Sequence, residues 1–144
     1  MKNKIKYILF LAINLILVNC KTLKENTIVG EWKLSGQFVD ENPYASYSEP
    51  KVQKIISERR VKFNSDKNFQ SNADICVSGT DTLSITTGKF IKYKNKDGYY
   101  ILQPDKCIGI SGSNILMRIK DRKLYLEYPS TGYNYQIFTK QLVK

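Results

Sequence analysis

With 144 residues, three cysteines and no histidine, the chain suits one hydrophobic core and lacks the side chain behind most zinc sites, histidine-ligated haem and Ser-His or Cys-His nucleophiles. Its 23 basic residues outnumber 13 acidic ones, for a formal charge of +10, which disfavours basic protein targets and suits an acidic surface. No Cys-x-x-Cys pair or phosphate-cradling glycine loop is present, and carboxylates such as Asp74 and Asp81 sit in the polar company of turns, so no enzyme is expected and no metal or cofactor is implied.

The amino terminus places Lys2, Lys4 and Lys6 before a twelve-residue apolar run, Tyr7 to Val18, broken only by Asn14. A permanent membrane helix needs about 20 apolar residues, so the run reads as the core of a signal peptide. It ends Leu17-Val18-Asn19-Cys20. This ending resembles the lipobox of bacterial lipoproteins, with Asn19 where a small residue is usual, and it implies cleavage before Cys20 and lipidation of that residue by palmitate-class acyl chains. Residues 1–19 are then expected to be a lipoprotein signal peptide, 20–27 a lipidated tether and 28–144 the folded domain. The resemblance implies anchoring in the bacterial cell envelope, on the outer membrane or the periplasmic face. Loss of the leader's three lysines leaves 20 basic against 13 acidic residues, or +7. Cys76 and Cys107 remain, and in an oxidising compartment they are expected to pair, a loop closure that contributes roughly 3–4 kcal/mol.

Beyond the tether, period-two alternation recurs between turn residues, with no helical periodicity of useful length. A first strand is predicted from Ile28 to Val39, with Trp32, Leu34 and Phe38 on one face and Glu31, Lys33 and Gln37 on the other. After a loop from Asp40 to Pro50, a second strand is predicted from Val52 to Phe63, with Val61 and Phe63 opposed to Arg60 and Lys62. Asn64-Ser65-Asp66-Lys67 turns into a third strand, Asn68 to Asp74. A fourth covers Leu83 to Tyr93 with a bulge at Gly88. Asn95-Lys96-Asp97-Gly98 is the clearest hairpin turn, because Gly tolerates the positive φ such turns demand. Tyr99 to Leu102 follows as the fifth strand. Ile115, Met117 and Ile119, then Leu124, Leu126 and Tyr128, mark two strands joined through Asp121-Arg122-Lys123. Pro129-Ser130-Thr131-Gly132 leads to the last, Tyr133 to Thr139.

Eight short sequential strands predict an all-β, antiparallel up-and-down barrel, whose closure removes exposed edges; a two-sheet sandwich is the alternative. Gly30-Glu31-Trp32 opens this pattern behind a lipobox. With the Phe63 to Phe69 hairpin and the late strand Leu124 to Tyr128, the mature chain resembles the lipocalin-like lipoproteins of Bacteroidetes-type bacteria. The resemblance implies an eight-stranded lipocalin-like barrel with Trp32 closing its floor. No Thr-Asp-Tyr motif is present, and Lys140 is the basic residue available near the last strand to lie across Trp32.

A closed barrel of about eight strands either fills with side chains or leaves room for one small ligand. On the second reading a pocket lined by Phe38, Phe63, Phe69, Tyr93, Ile101, Met117, Leu126 and Tyr135 opens away from Trp32 and holds a small hydrophobic molecule. On the first, the core is solid and the loops Asp40 to Pro50 and Asp105 to Asn114 touch a protein partner. Basic residues, among them Arg59, Arg60, Lys62, Lys89, Lys92, Lys94, Lys96, Arg118, Lys120, Arg122 and Lys123, are expected largely on outward faces, where anionic lipid head groups would attract them. A monomer is expected, without nucleic acid as partner.

Overall fold

A computed structural model describes residues 27–39, 51–107, 114–129 and 134–141; the leader, Cys20 and the loop 40–50 lie outside these residues. The strands are β1 (Gly30–Val39), β2 (Val52–Lys54), β3 (Arg60–Phe63), β4 (Asn68–Ser71), β5 (Thr86–Lys92), β6 (Tyr99–Pro104), β7 (Ile115–Lys120), β8 (Lys123–Tyr128) and β9 (Asn134–Lys140). Each pairs antiparallel with its neighbour, and β1–β9 pairing closes the sheet. β3 pairs with Gly30–Lys33 and β2 with Gly36–Phe38 along the same edge of β1, so the two are halves of one barrel strand. The result is an eight-stranded up-and-down barrel.

Two irregularities separate this barrel from the regular alternation in the sequence. The predicted strand Val52 to Phe63 is broken. Ile55 N still donates to Ser35 O at 3.1 Å and Leu34 N to Arg59 O at 2.9 Å, but between those bonds the chain loops out, leaving Ile56 96% exposed and Arg59 1% exposed. Opposite lies a β-bulge in β1: Leu34 pairs with Phe138 and Gly36 with Ile137, so Ser35 is the extra residue, and its hydroxyl donates to Ile137 O at 3.1 Å. One extra residue exchanges the faces of everything beyond it. Gln37 therefore shares the inner face with its partner Gln136, and Phe38 shares the outer face with Tyr135, their rings stacked at 4.6 Å. The placement of Phe38 beside Trp32 and Leu34 is thereby corrected.

The inner face is continuous: Trp32, Leu34, Val61, Phe63, Phe69, Leu102, Met117, Leu124, Leu126 and Phe138 are each 2% exposed or less and form one cluster. Burying one such side chain contributes roughly 1.5–3 kcal/mol, so this cluster supplies most of the driving force for closure. Aromatic geometry tightens it, with Phe63 edge-on to Phe90 at 5.3 Å and tilted against Phe69 at 6.0 Å.

The expected bulge at Gly88 is absent; Gly88 stays in register between Phe69 and Pro104. A methyl group there would meet Gln103 O and lie 2.7 Å from Pro104 Cα, so the glycine permits close approach of β6. At the Asn95–Gly98 turn Gly98 takes φ +75°, as its position predicts, whereas the β7–β8 turn puts Asp121 and Arg122 at φ 51° and 59° without any glycine.

Candidate functional site

The barrel has two dissimilar ends. At one end the chain enters through residues 27–29, beside the turns 64–67, 95–98 and 121–122; at the other lie the segment 72–85 and the end of β6.

The second end is closed from within. Ala73, Ile75 and Cys76 are at most 1% exposed, and Cys76 is joined to Cys107 across a separation of 31 residues, the pairing expected from an oxidising compartment. Beneath them lies Arg59, which the charge pattern alone assigns to the surface. Its guanidinium donates to Gly79 O, to Asp74 O at 2.9 Å, to Val77 O at 3.0 Å and to the Tyr128 hydroxyl at 3.3 Å. The Tyr128 hydroxyl donates in turn to Gln136 Oε1 at 3.0 Å, and Gln136 Nε2 donates to Gly79 O at 2.8 Å. No carboxylate oxygen is among these bonds; backbone carbonyl dipoles hold the buried cation, as guanidinium's weak hydration permits. Burial pushes the Tyr128 phenol up to about 12, with Arg59 acting against the shift.

Among the described residues the first end is open. Trp32, fully buried, donates Nε1–H to Ile28 O at 2.7 Å, and Lys140 Nζ sits 5.3 Å above its ring while donating to Thr27 O at 2.8 Å. Lys140 thus occupies the position across the tryptophan noted from the sequence. Beside this arrangement is a cavity of about 540 Å³ with an apolar lining of Ile28, Phe90, Tyr100 and Ile119 and a rim that includes Thr27, Ser65 and Lys67. The Phe90 and Tyr100 rings stand 6.1 Å apart.

The eight pocket residues proposed from the sequence do not come together. Phe63, Phe69, Met117 and Leu126 fill the interior at 2% exposure or less. Phe38 and Tyr135 stack on the outer face beyond the bulge. Ile101 lies opposite Ile91, which is 41% exposed, and is outward. Tyr93 follows two residues after Ile91 on the same face and is held through its backbone N–H to Tyr99 O at 2.8 Å. An opening away from Trp32 is also corrected: Arg59 and residues 73–79 cover that end, and the cavity adjoins the Trp32 end. What the sequence reading missed is the last inward layer before the turns, Phe90, Tyr100 and Ile119. Counting inward positions back from Asn95–Gly98 and Asp121–Arg122 would have found it.

Among the described residues no group of three or more His, Cys, Asp or Glu side chains is placed to hold a metal ion. The architecture fits a lipocalin-like barrel. No protein family, curated protein or solved structure matches the chain.

Proposed function

We propose that the protein is a lipid-anchored envelope barrel that binds the apolar part of a small hydrophobic or amphipathic molecule in the mouth beside its chain entry. The observation that carries this reading is the mouth: about 540 Å³, apolar at its base and polar at its rim, beside a packed interior. That volume falls within the roughly 300–1,000 Å³ of small-molecule sites, and one basic residue among rim hydroxyls suits a ligand with a single polar head. The occupant reaches as far as Phe90 and Tyr100 and no further, because Phe63 and Met117 fill the next layer. Anchoring is supported by the leader and by Cys20, seven residues before Thr27.

Titration with a fluorescent fatty-acid analogue tests the site. Ile119→Trp fills the mouth and should weaken binding about ten-fold or more, the scale of 1–3 kcal/mol of lost pocket contact. Leu83→Ser at the opposite end should leave it unchanged. Equal affinity in the parent and in Ile119→Trp refutes the proposal.

A second reading is favoured by one observation: Ile56, Leu83 and Ile85 are 96%, 94% and 72% exposed, and Ser57 Oγ ties their two loops together by donating to Thr80 O at 3.2 Å. Exposed apolar side chains of this kind, flanked by the exposed charges Lys54, Glu58 and Asp81, suit a protein partner. On that reading Ile56→Ser with Leu83→Ser abolishes photo-crosslinking to the partner in cells and leaves fatty-acid binding intact.

A further inference from the structure

Among the described residues, exposed charge is unevenly distributed between the two ends of the barrel. The turns around the mouth carry Lys67, Lys94, Lys96, Lys120, Arg122 and Lys123, all exposed, against Asp66, Asp97 and Asp121. Six basic and three acidic side chains leave a local excess of three. Two of those acids are engaged nearby: Asp66 accepts from Asn68 N at 3.0 Å and Asn68 Nδ2 at 2.9 Å, and Asp97 lies 3.5 Å from Lys92 Nζ. Among the described residues of the closed end, exposed Lys51, Lys54 and Lys106 face exposed Asp81 and Asp105, with Asp74 half-buried and accepting from Cys76 N at 2.9 Å. The basic turns surround an apolar centre, the mouth, with Val29 on its rim 43% exposed. The chain also enters the barrel at this end, through Thr27.

We infer that the turn end of the barrel docks face-on to an anionic lipid bilayer, with the three turns against the head groups and the mouth opening onto the membrane. Cations around an apolar centre match the two layers of such a surface, phosphate outside and hydrocarbon within. A basic residue held near an anionic membrane strengthens attachment about five-fold. The field falls off within a Debye length, so only the turn end senses it when the barrel stands upright. Docking depends on the charge pattern; that the mouth then takes an acyl chain from the bilayer rests on the function proposed above.

The test is an orientation measurement on the full chain reconstituted in vesicles. A polarity-sensitive fluorophore is placed at the turn end through Asn95→Cys, or at the closed end through Leu83→Cys, and quenched by lipids carrying a nitroxide on the head group. In phosphatidylglycerol vesicles the Asn95 probe should be quenched and the Leu83 probe should not. In phosphatidylcholine vesicles, or at about 1 M salt where the Debye length is about 3 Å, the difference should vanish. Lys94→Gln with Lys96→Gln and Lys120→Gln should lower the ratio of docked to undocked protein about a hundred-fold. Inorganic phosphate should act no more strongly than chloride at equal ionic strength; selective release by phosphate would reveal a discrete anion site and overturn docking on the surface field. Equal quenching at both ends, or quenching indifferent to anionic lipid, also overturns it. If Ile119→Trp leaves fatty-acid affinity unchanged while the Asn95 probe remains quenched, the mouth proposal fails and the docking stands.

Discussion

Replacing Arg59 by methionine keeps much of the buried volume and removes the guanidinium. Asp74 O and Val77 O lose the hydrogen bonds from Arg59 Nη2, whereas Gly79 O retains Gln136 Nε2 and Tyr128 retains Gln136 Oε1. Two part-buried carbonyls without a donor cost up to about 1–3 kcal/mol each, so the change should destabilise the barrel by as much as about 4 kcal/mol. A small domain has only about 5–15 kcal/mol in total, and a loss of that size lowers Tm by about 15 °C or more. Urea unfolding followed by circular dichroism, with the disulfide intact, gives the midpoint shift at constant m-value. Hydrogen exchange should quicken first in residues 73–79. An opposing term exists: removing a buried charge relieves its desolvation, and apolar replacements of buried ionic groups are neutral or stabilising in some proteins. If Arg59→Met is as stable as the parent, desolvation outweighs the carbonyl bonds, and the account of how this end is closed is wrong.

Replacing Cys76 and Cys107 together by serine should lower stability by about 3–4 kcal/mol, read from the denaturant midpoint; two free thiols in nonreducing denaturant would disprove the bridge itself. Gly88→Ala forces a methyl group against Gln103 O and Pro104 Cα and should destabilise by about 1–3 kcal/mol, the range for overpacking, measured by thermal unfolding. The Tyr128 phenol, pushed up to about 12 by burial, ionises later in the folded than in the unfolded chain. Its contribution is therefore complete below about pH 10 and is lost as the pH rises toward 12, and Tyr128→Phe should flatten that alkaline decline in a plot of unfolding free energy against pH. Cys20→Ala should move the protein from the membrane to the soluble fraction; unchanged fractionation would refute the anchor.

How far the sequence foretells the fold depends on the length of clean alternation. Val61 and Phe63, Met117 and Ile119, and Leu124, Leu126 and Tyr128 each alternate with polar or half-buried partners, and each proves inward. Ile101 belongs to Tyr99-Tyr100-Ile101-Leu102, four apolar residues in succession, where alternation carries no signal and only the pairing of Phe90 with Leu102 decides the face. Phe38 obeys the period with Trp32 and Leu34, yet the bulge at Ser35 reverses it; Ser-Gly in a strand permits such a bulge without requiring one. Arg59 stands two residues before Val61, so the alternation itself points it inward; only its charge argued for the surface, where its neighbour Arg60 pairs with Glu31 at 3.1 Å. The mouth escaped notice because its residues are contributed by the ends of strands, where register and not composition sets what faces inward.

The most direct test of the central claim is a two-dimensional NMR titration of the protein with a medium-chain fatty acid, following aromatic and methyl resonances. Shifts confined to Ile28, Phe90, Tyr100 and Ile119, with Met117 and Leu126 still, are predicted for a ligand seated in the mouth of a filled barrel. Shifts centred on Met117 and Leu126, or none at saturating ligand, would contradict it.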